Sequence, residues 1–266
     1  MSNRRATAPS PLTAYVLHSH AWSETSLIVE LFTRERGRVV VAAKGAKRPF
    51  SQLRAVLMPF QRINVLLGKA PVDEANEVHN LRSAEWGGGV PTAGGGALFA
   101  GFYVNELLLK LLARQDAHAA LFDAYGETLM ALSATDDTAT QTALRAFELS
   151  LLRGLGWLPE LSAVTQTAQP VQAQHHYTLH EDRGLVNAAS GGVSGSTMLA
   201  IEAALTLGHG AALRHAVAPA MVALRAPLRH LLHYHLGGTP LRTRRVMQDI
   251  HKFLAKPRPF DQNDSP

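Results

Sequence analysis

Histidines are the first residue type in this chain that could bind a metal ion. His230, His233 and His235 lie in one helix-favouring stretch, and the first two, three residues apart, would share a helix face. Two imidazole nitrogens there could reach one ion at about 2 Å. Because no carboxylate or further ligand motif accompanies them, we interpret these as surface or half-buried histidines, and those of segment 175–180 likewise.

The acidic residues offer a second possible metal site. Asp73, Glu74 and Glu77 could hold a magnesium ion for hydrolysis, but a solvated strand edge explains the same spacing. Segment 68–70 lacks the upstream glycine and the hydroxyl of a phosphate-binding loop, and segment 192–196 lacks the last glycine of a nucleophile elbow. The sequence therefore predicts no catalytic residue, no metal and no cofactor.

The cations form a clearer pattern than the acids. Residues 34–69 hold nine basic residues against one acid, residues 70–224 hold seven against fifteen, and residues 225–258 hold eight against one. If the fold brings the two basic segments together, they form one surface that attracts a polyanion by neutralising its phosphates. The alternative is scattered charge that only keeps the protein in solution. The residues predicted to bind DNA are Arg34, Arg38, Lys44, Lys47, Arg48, Arg54, Arg242, Arg244 and Arg245.

Composition excludes several classes of protein. The chain has 266 residues, of which 46% are hydrophobic, enough to bury a core. It has no cysteine, which excludes disulfides, thiolate catalysis and cysteine-ligated zinc. No run of about 18 uncharged apolar residues occurs, and residues 1–11 lack an apolar signal segment. We therefore expect a cytoplasmic protein that does not bind membranes.

The first 80 or so residues are typical of β-strands. Five short strands in so few residues predict a small closed barrel or a sandwich. Arg38 and Lys44 would lie on one face of the third strand, because side chains alternate. Six glycines between residues 87 and 96 predict a linker. The predicted strands are 13–19, 26–33, 39–43, 53–67 (interrupted by Pro59) and 71–79.

Helical periodicity follows the glycine run. Asp136 and Asp137 fit an N-cap ahead of the third helix. One face of that helix is apolar, and a second face carries Arg145 among leucines, with Leu149 and Leu152 at helical spacing. Segment 162–195 is polar and suits a β-hairpin. The predicted helices are 98–112, 121–132, 143–155, 197–207, 216–236 (kinked or split at its prolines) and a last one from residue 243.

Short motifs in order along nearly the whole chain resemble the RecO family of bacterial DNA repair and recombination mediators. Each motif is weak alone, but the ordered set is specific. The motifs are VLHS (16–19), SETSL (23–27), LFT (31–33), GRV (37–39), AKGA (43–46), LMPF (57–60), RSAE (82–85), YVNELL (103–108), LRAFEL (144–149) and LGGTPLRTR (236–244).

The resemblance implies an α+β multidomain protein with an N-terminal OB-fold β-barrel and an α-helical domain. It also implies a small insertion that binds zinc through four cysteines in many relatives; without cysteine, we expect the insertion to persist without metal. The expected divisions are the barrel (1–82), a glycine-rich linker (83–96), the helical domain (97–161 and 196–256), the insertion (162–195) and a flexible tail (257–266).

The resemblance also implies a non-catalytic function. RecO proteins bind single-stranded and double-stranded DNA, anneal complementary strands, act with RecR and help load RecA onto strands coated by single-stranded-DNA-binding protein (SSB). A nucleoid-associated location would follow. Because the barrel has few aromatic residues (Tyr15, Trp22, Phe32, Phe50 and Phe60), we expect backbone electrostatics to dominate its DNA binding.

The resemblance places a docking site for the acidic SSB tail on the helical domain. Arg145 would bind the tail's carboxylate, and Leu149 and Leu152 its apolar side chain. The alternative is that Arg145 pairs with a nearby acid while the leucines belong to the core. Two other functions stay open: a metal-dependent DNA-processing enzyme, and a protein adaptor that does not bind DNA.

Overall fold

The N-terminal region is a closed five-stranded barrel. The computed structural model describes residues 10–68, 77–89, 94–133 and 136–246. The strands pair in the closed order β1-β2-β3-β5-β4, with β3 and β5 parallel and the other neighbours antiparallel. The strands are β1 (Leu12–Ala21), β2 (Leu27–Thr33), β3 (Gly37–Ala43), β4 (Arg62–Leu67) and β5 (Val78–Trp86).

Alternate residues of each strand fill the barrel. Ala14 and Val16 of β1, Val29 and Leu31 of β2, and Val41 of β3 all belong to one buried cluster. This is the two-residue period of a strand with one face inward. The barrel predicted from the first strands is confirmed, and it is consistent with the OB-fold.

Two barrel segments differ from the sequence prediction. Part of segment 53–67, predicted as strand, is a single helical turn, α1 (Leu53–Val56), because Leu53 and Val56, three residues apart, both pack on the barrel core. Strand β5 continues to Trp86, so residues 83–86 are strand and not linker. Its outer residues are mostly exposed and polar, which hides the strand from hydrophobicity patterns. Residues 71–76 and 90–93 lie outside the described residues.

The rest of the chain is mainly helical, as predicted. The third helix begins where the sequence predicts its N-cap: Asp136 accepts hydrogen bonds from the N–H groups of Thr138 and Ala139. The predicted break near Pro219 is a short 3-10 turn, Ala218–Ala220. The helices are α2 (Gly95–Leu111), α3 (Ala119–Leu132), α4 (Asp137–Gly154), α5 (Gly195–Leu207), α6 (Gly210–Val217) and α7 (Met221–His235). Residues 242–246 start another helix, and the chain after 246, with the predicted tail, lies outside the described residues.

The insertion is a three-stranded sheet packed on the helices. Strand β6 (His176–His180) lies between β7 (Gly184–Asn187) and β8 (Val193–Ser194). Tyr177 and Leu185 are buried in the same cluster as the helices, and the Tyr177 hydroxyl accepts a hydrogen bond from the Gln172 N–H at 2.8 Å. Apolar packing therefore holds this sheet to the helical domain.

An aromatic interface joins the barrel to the helices. Tyr15 and Phe32, on the outside of the barrel, contact Phe122 of α3 with ring centroids 5.0 and 5.5 Å apart. Asn105 of α2 donates to the Leu17 carbonyl at 2.7 Å and accepts from the Tyr125 hydroxyl at 2.6 Å. These contacts make the outer face of the barrel part of the core of the helices, while the barrel interior is a separate buried cluster.

Candidate nucleic-acid interface

Two of the predicted DNA-binding cations are occupied by the domain interface. Arg34 donates to both carboxylate oxygens of Asp123 on α3, at 2.9 and 3.2 Å. Arg38 donates to the Leu109 carbonyl of α2 and lies 4.0 Å from the Glu30 carboxylate. Burial lowers the pKa of Arg38 more than Glu30 raises it. The structure therefore gives these two guanidinium groups structural partners, which the sequence did not predict, and their binding of phosphate stays a prediction.

The other barrel cations lie in a surface that we call the barrel tip, formed by the β1–β2 turn (22–26) and the loop 44–52. Lys47 joins its two parts, because its N–H donates to the Thr25 carbonyl and its Nζ to the Ser23 carbonyl, both at 2.9 Å. Lys44 and Arg48 are exposed there, and Arg54 of α1 is exposed just beyond. Across the described ranges, no carboxylate lies within salt-bridge distance of these four cations.

The C-terminal basic segment is anchored on α2. The Glu106 carboxylate accepts from the N–H groups of Arg242 and Thr243 at 2.8 and 2.9 Å. Burial alone would raise the pKa of Glu106, but these hydrogen bonds, with Lys110, lower it overall. Arg242, Arg244 and Arg245 are exposed. Burial, and then the like charges of Arg229 and Arg225, lower the pKa of Arg244. Arg225, Arg229 and Arg244 therefore form a positive cluster on the helical domain.

The two basic segments are therefore held in place by different elements. The barrel tip is clamped to the β1–β2 turn, and the C-terminal segment to α2. Within the described part of the chain, no hydrogen bond or ion pair connects the loop 44–52 to residues 242–245. Their convergence into one surface stays a prediction.

The predicted tail-binding face of α4 lies inside the protein. Leu149 and Leu152 are fully buried, and Arg145 is only 7% exposed. Arg145 pairs with Glu148 at 2.8 Å, and Glu148 accepts from the Tyr103 hydroxyl at 2.7 Å. Burial raises the pKa of Glu148, against the effect of Arg145. Arg145 therefore forms an internal ion pair, and Leu149 and Leu152 belong to the core, as in the alternative given above. These three residues do not form an exposed surface.

Two of the candidate metal ligands contact other side chains, and His230 and His233 are exposed. Glu77 pairs with Arg114, and His235 stacks on Trp157 with centroids 4.1 Å apart. Asp73 and Glu74 lie outside the described residues. In the residues that the structure describes, no group of three or more His, Asp or Glu side chains could hold a metal ion.

Sequence reasoning missed how differently the barrel aromatics are placed. Tyr15, Phe32 and Phe60 are buried, whereas Trp22 and Phe50 project from the barrel tip. The residues next to them in the sequence were the one feature that could have indicated their exposure. Trp22 precedes the polar run Ser23–Glu24–Thr25, and Phe50 lies between a proline and a serine in a cationic loop.

Comparisons with known proteins decide the family. The family model described as Recombination protein O N terminal matches residues 11–87, and that described as Recombination protein O C terminal matches residues 95–245. The chain belongs to the RecO family. It is 46% identical to the DNA repair protein RecO of Verminephrobacter eiseniae over 242 residues, 89% of this chain and 94% of that protein. It is 47% identical to the DNA repair protein RecO of Variovorax paradoxus over 248 residues, 89% and 95% of the two chains.

The zinc site of many RecO proteins does not fit this member of the family. The chain has no cysteine, and the centre of its insertion is occupied by Tyr177, Leu179, Leu185 and Val193. The three aliphatic side chains have no atom that can ligate zinc, and the Tyr177 hydroxyl is hydrogen-bonded to the Gln172 N–H. Among the described helices of this RecO protein, none is long and apolar enough to cross a bilayer.

Proposed function

We propose that this RecO protein is a recombination mediator. In this role it binds single- and double-stranded DNA, anneals complementary strands and, with RecR, helps load RecA onto SSB-coated DNA. It would act in the cytoplasm, on the nucleoid. The observation that carries the proposal is the barrel tip, where Lys44, Lys47 and Arg48 are exposed and have no carboxylate partner in the described residues.

Charge explains why the barrel tip suits a DNA backbone. A cation without a carboxylate partner can neutralise a phosphate and release its counterions. Arg34, already paired with Asp123, would have to give up that ion pair first. Binding by the barrel tip should therefore weaken steeply as salt concentration rises.

We place the SSB tail on the exposed cations above the buried Arg145–Glu148 pair. Arg225 and Arg229 of α7 are exposed, and with Arg244 they form a cluster of like charge. An acidic tail would relieve this repulsion. Arg145, Leu149 and Leu152 would then support the site from below. Arg225→Gln with Arg229→Gln should weaken binding of an SSB tail peptide, and unchanged affinity would refute this placement.

The annealing experiment tests the proposed function. Two complementary oligonucleotides are mixed with the protein, and duplex formation is followed by fluorescence energy transfer, with and without SSB and RecR. We expect faster annealing in the presence of the protein, and RecR-dependent loading of RecA on SSB-coated strands. Strand cleavage in magnesium or manganese would favour the enzyme alternative, and absence of DNA affinity at physiological salt would favour the adaptor; either result would refute the proposal.

A further inference from the structure

Two aromatic rings face solvent on the barrel tip: Trp22 in the β1–β2 turn beside Glu24, and Phe50 in the loop that carries the unpaired cations. Trp22 is 59% exposed and Phe50 is 99% exposed. Exposure of a single ring is common, and Trp86 is 66% exposed, so the position of these two rings on either side of the contact made by Lys47 carries the argument. The other aromatics of the first two strands, Tyr15 and Phe32, are buried against α3.

Backbone hydrogen bonds hold these rings in one ordered surface. The Trp22 N–H donates to the Ser26 carbonyl at 3.1 Å, which closes the β1–β2 turn. Lys47 ties that turn to the loop bearing Phe50 through its N–H and its Nζ. The loop is braced internally as well, since the Ser51 N–H donates to the Arg48 carbonyl at 3.0 Å. Because the backbone is fixed, stacking on either ring would cost little ordering of the loops.

The surrounding charge identifies the partner. Lys44, Lys47 and Arg48 belong to the same loop as Phe50 and are exposed. A flat ring beside unpaired cations matches a ligand that has both a flat apolar face and a phosphate, which is an unpaired nucleotide. In a duplex the faces of the bases are already stacked on each other, so the rings could not reach them. A purely apolar partner, such as a helix of another protein, would leave the cations unused.

We propose that Trp22 and Phe50 stack on unpaired bases of single-stranded DNA, while Lys44, Lys47 and Arg48 hold the adjoining phosphates. This inference rests on the proposed function and adds the residues that make the barrel tip prefer single strands. Two rings hold only a few bases, so the remaining bases of a bound strand stay free to pair.

The test separates stacking from charge. Affinities of wild type, Trp22→Ala and Phe50→Ala for oligothymidylate and for a duplex of equal length are measured over a series of salt concentrations. Each ring removal should weaken single-strand binding about 10-fold and leave both the duplex affinity and the salt slope unchanged. Wild type should bind an abasic strand of equal length as weakly as a variant that combines Trp22→Ala with Phe50→Ala binds oligothymidylate.

Tyr234, an exposed ring on α7, supplies the matched control. Tyr234→Ala should bind both DNAs like wild type. Tryptophan fluorescence should be quenched by oligothymidylate in wild type and in Trp86→Phe, but much less in Trp22→Phe. Single-strand affinity unchanged by ring removal, or an equal loss on the duplex, would overturn the inference while leaving the proposed function intact. Wild type that binds no DNA would overturn both.

Discussion

At the scale of single residues, the buried ion pair of Arg145 and Glu148 determines how strongly a substitution in α4 lowers the free energy of unfolding. Arg145→Ala would leave the Glu148 carboxyl 1% exposed and without its cationic partner. We expect a loss of about 3–5 kcal/mol in the free energy of unfolding, measured by urea denaturation. Arg229→Ala, an exposed change on α7, should alter it by less than about 0.5 kcal/mol. Equal stability of Arg145→Ala and wild type would contradict the pairing.

Glu202 gives a pH-dependent prediction at the same scale. Burial raises the pKa of Glu202, but hydrogen bonds from Arg153 and from the Leu161 N–H outweigh that effect and lower it overall. A carboxyl whose pKa is lower in the folded state stabilises the protein above its ordinary pKa, and this stabilisation is lost as the pH falls through the folded value. Glu202→Gln should therefore be less stable than wild type at pH 7, and urea titrations should show the difference shrinking below about pH 4.5. A difference that grows in acid would contradict the assignment.

Single residues also show where the sequence was informative. The N-cap at Asp136 followed from a local rule that the fold obeys. The pairing of Arg34 with Asp123 did not, because the partners are 89 residues apart and meet only through the domain interface. A sequence does not show whether an arginine has a carboxylate partner in the fold. The charge pattern therefore predicted a basic surface, but not which of its cations are unpaired.

At the scale of elements, the start of the C-terminal helix depends on one carboxylate. Glu106 of α2 accepts from the N–H groups of Arg242 and Thr243, as an N-cap side chain would. Glu106→Gln loses the charge and one strong acceptor, so residues 241–246 should exchange amide hydrogens faster. Hydrogen exchange measures this directly, with Glu127→Gln as the control on α3. Unchanged protection of the Thr243 amide would contradict the anchoring role.

Elements with one apolar face were predictable, and elements with little apolar surface were not. The stripes of α3 and α4 come from burial in the core of the helices, and the alternation of β1 to β3 comes from burial inside the barrel. Strand β5 lies at the closure of the barrel with most of its side chains exposed, so hydrophobicity could not reveal residues 83–86 as strand. Segment 53–56 shows the opposite error, because four residues of mixed character fit a strand as well as one helical turn.

At the scale of the whole molecule, the aromatic interface should make the barrel and helices unfold together. Phe122 contacts Tyr15 and Phe32 across that interface and is 3% exposed. Phe122→Ala should lower the free energy of unfolding by about 3–5 kcal/mol and separate one calorimetric transition into two. Met130→Ala, an exposed change on the same helix, should leave one transition. A single, equally stable transition in Phe122→Ala would contradict coupling through this interface.

The salt dependence of single-strand binding tests the central claim most directly, since the claim is that unpaired cations of the barrel tip hold the phosphates. Lys44→Gln, Lys47→Gln and Arg48→Gln are combined in one variant, and Arg34→Gln, Arg183→Gln and Arg214→Gln in another, which removes equal charge from residues that have carboxylate partners. The slope of the logarithm of the binding constant against the logarithm of salt concentration is negative. We expect it to become shallower by about 2 in the first variant and to stay at the wild-type value in the second. Equal slopes in the two variants would contradict the account.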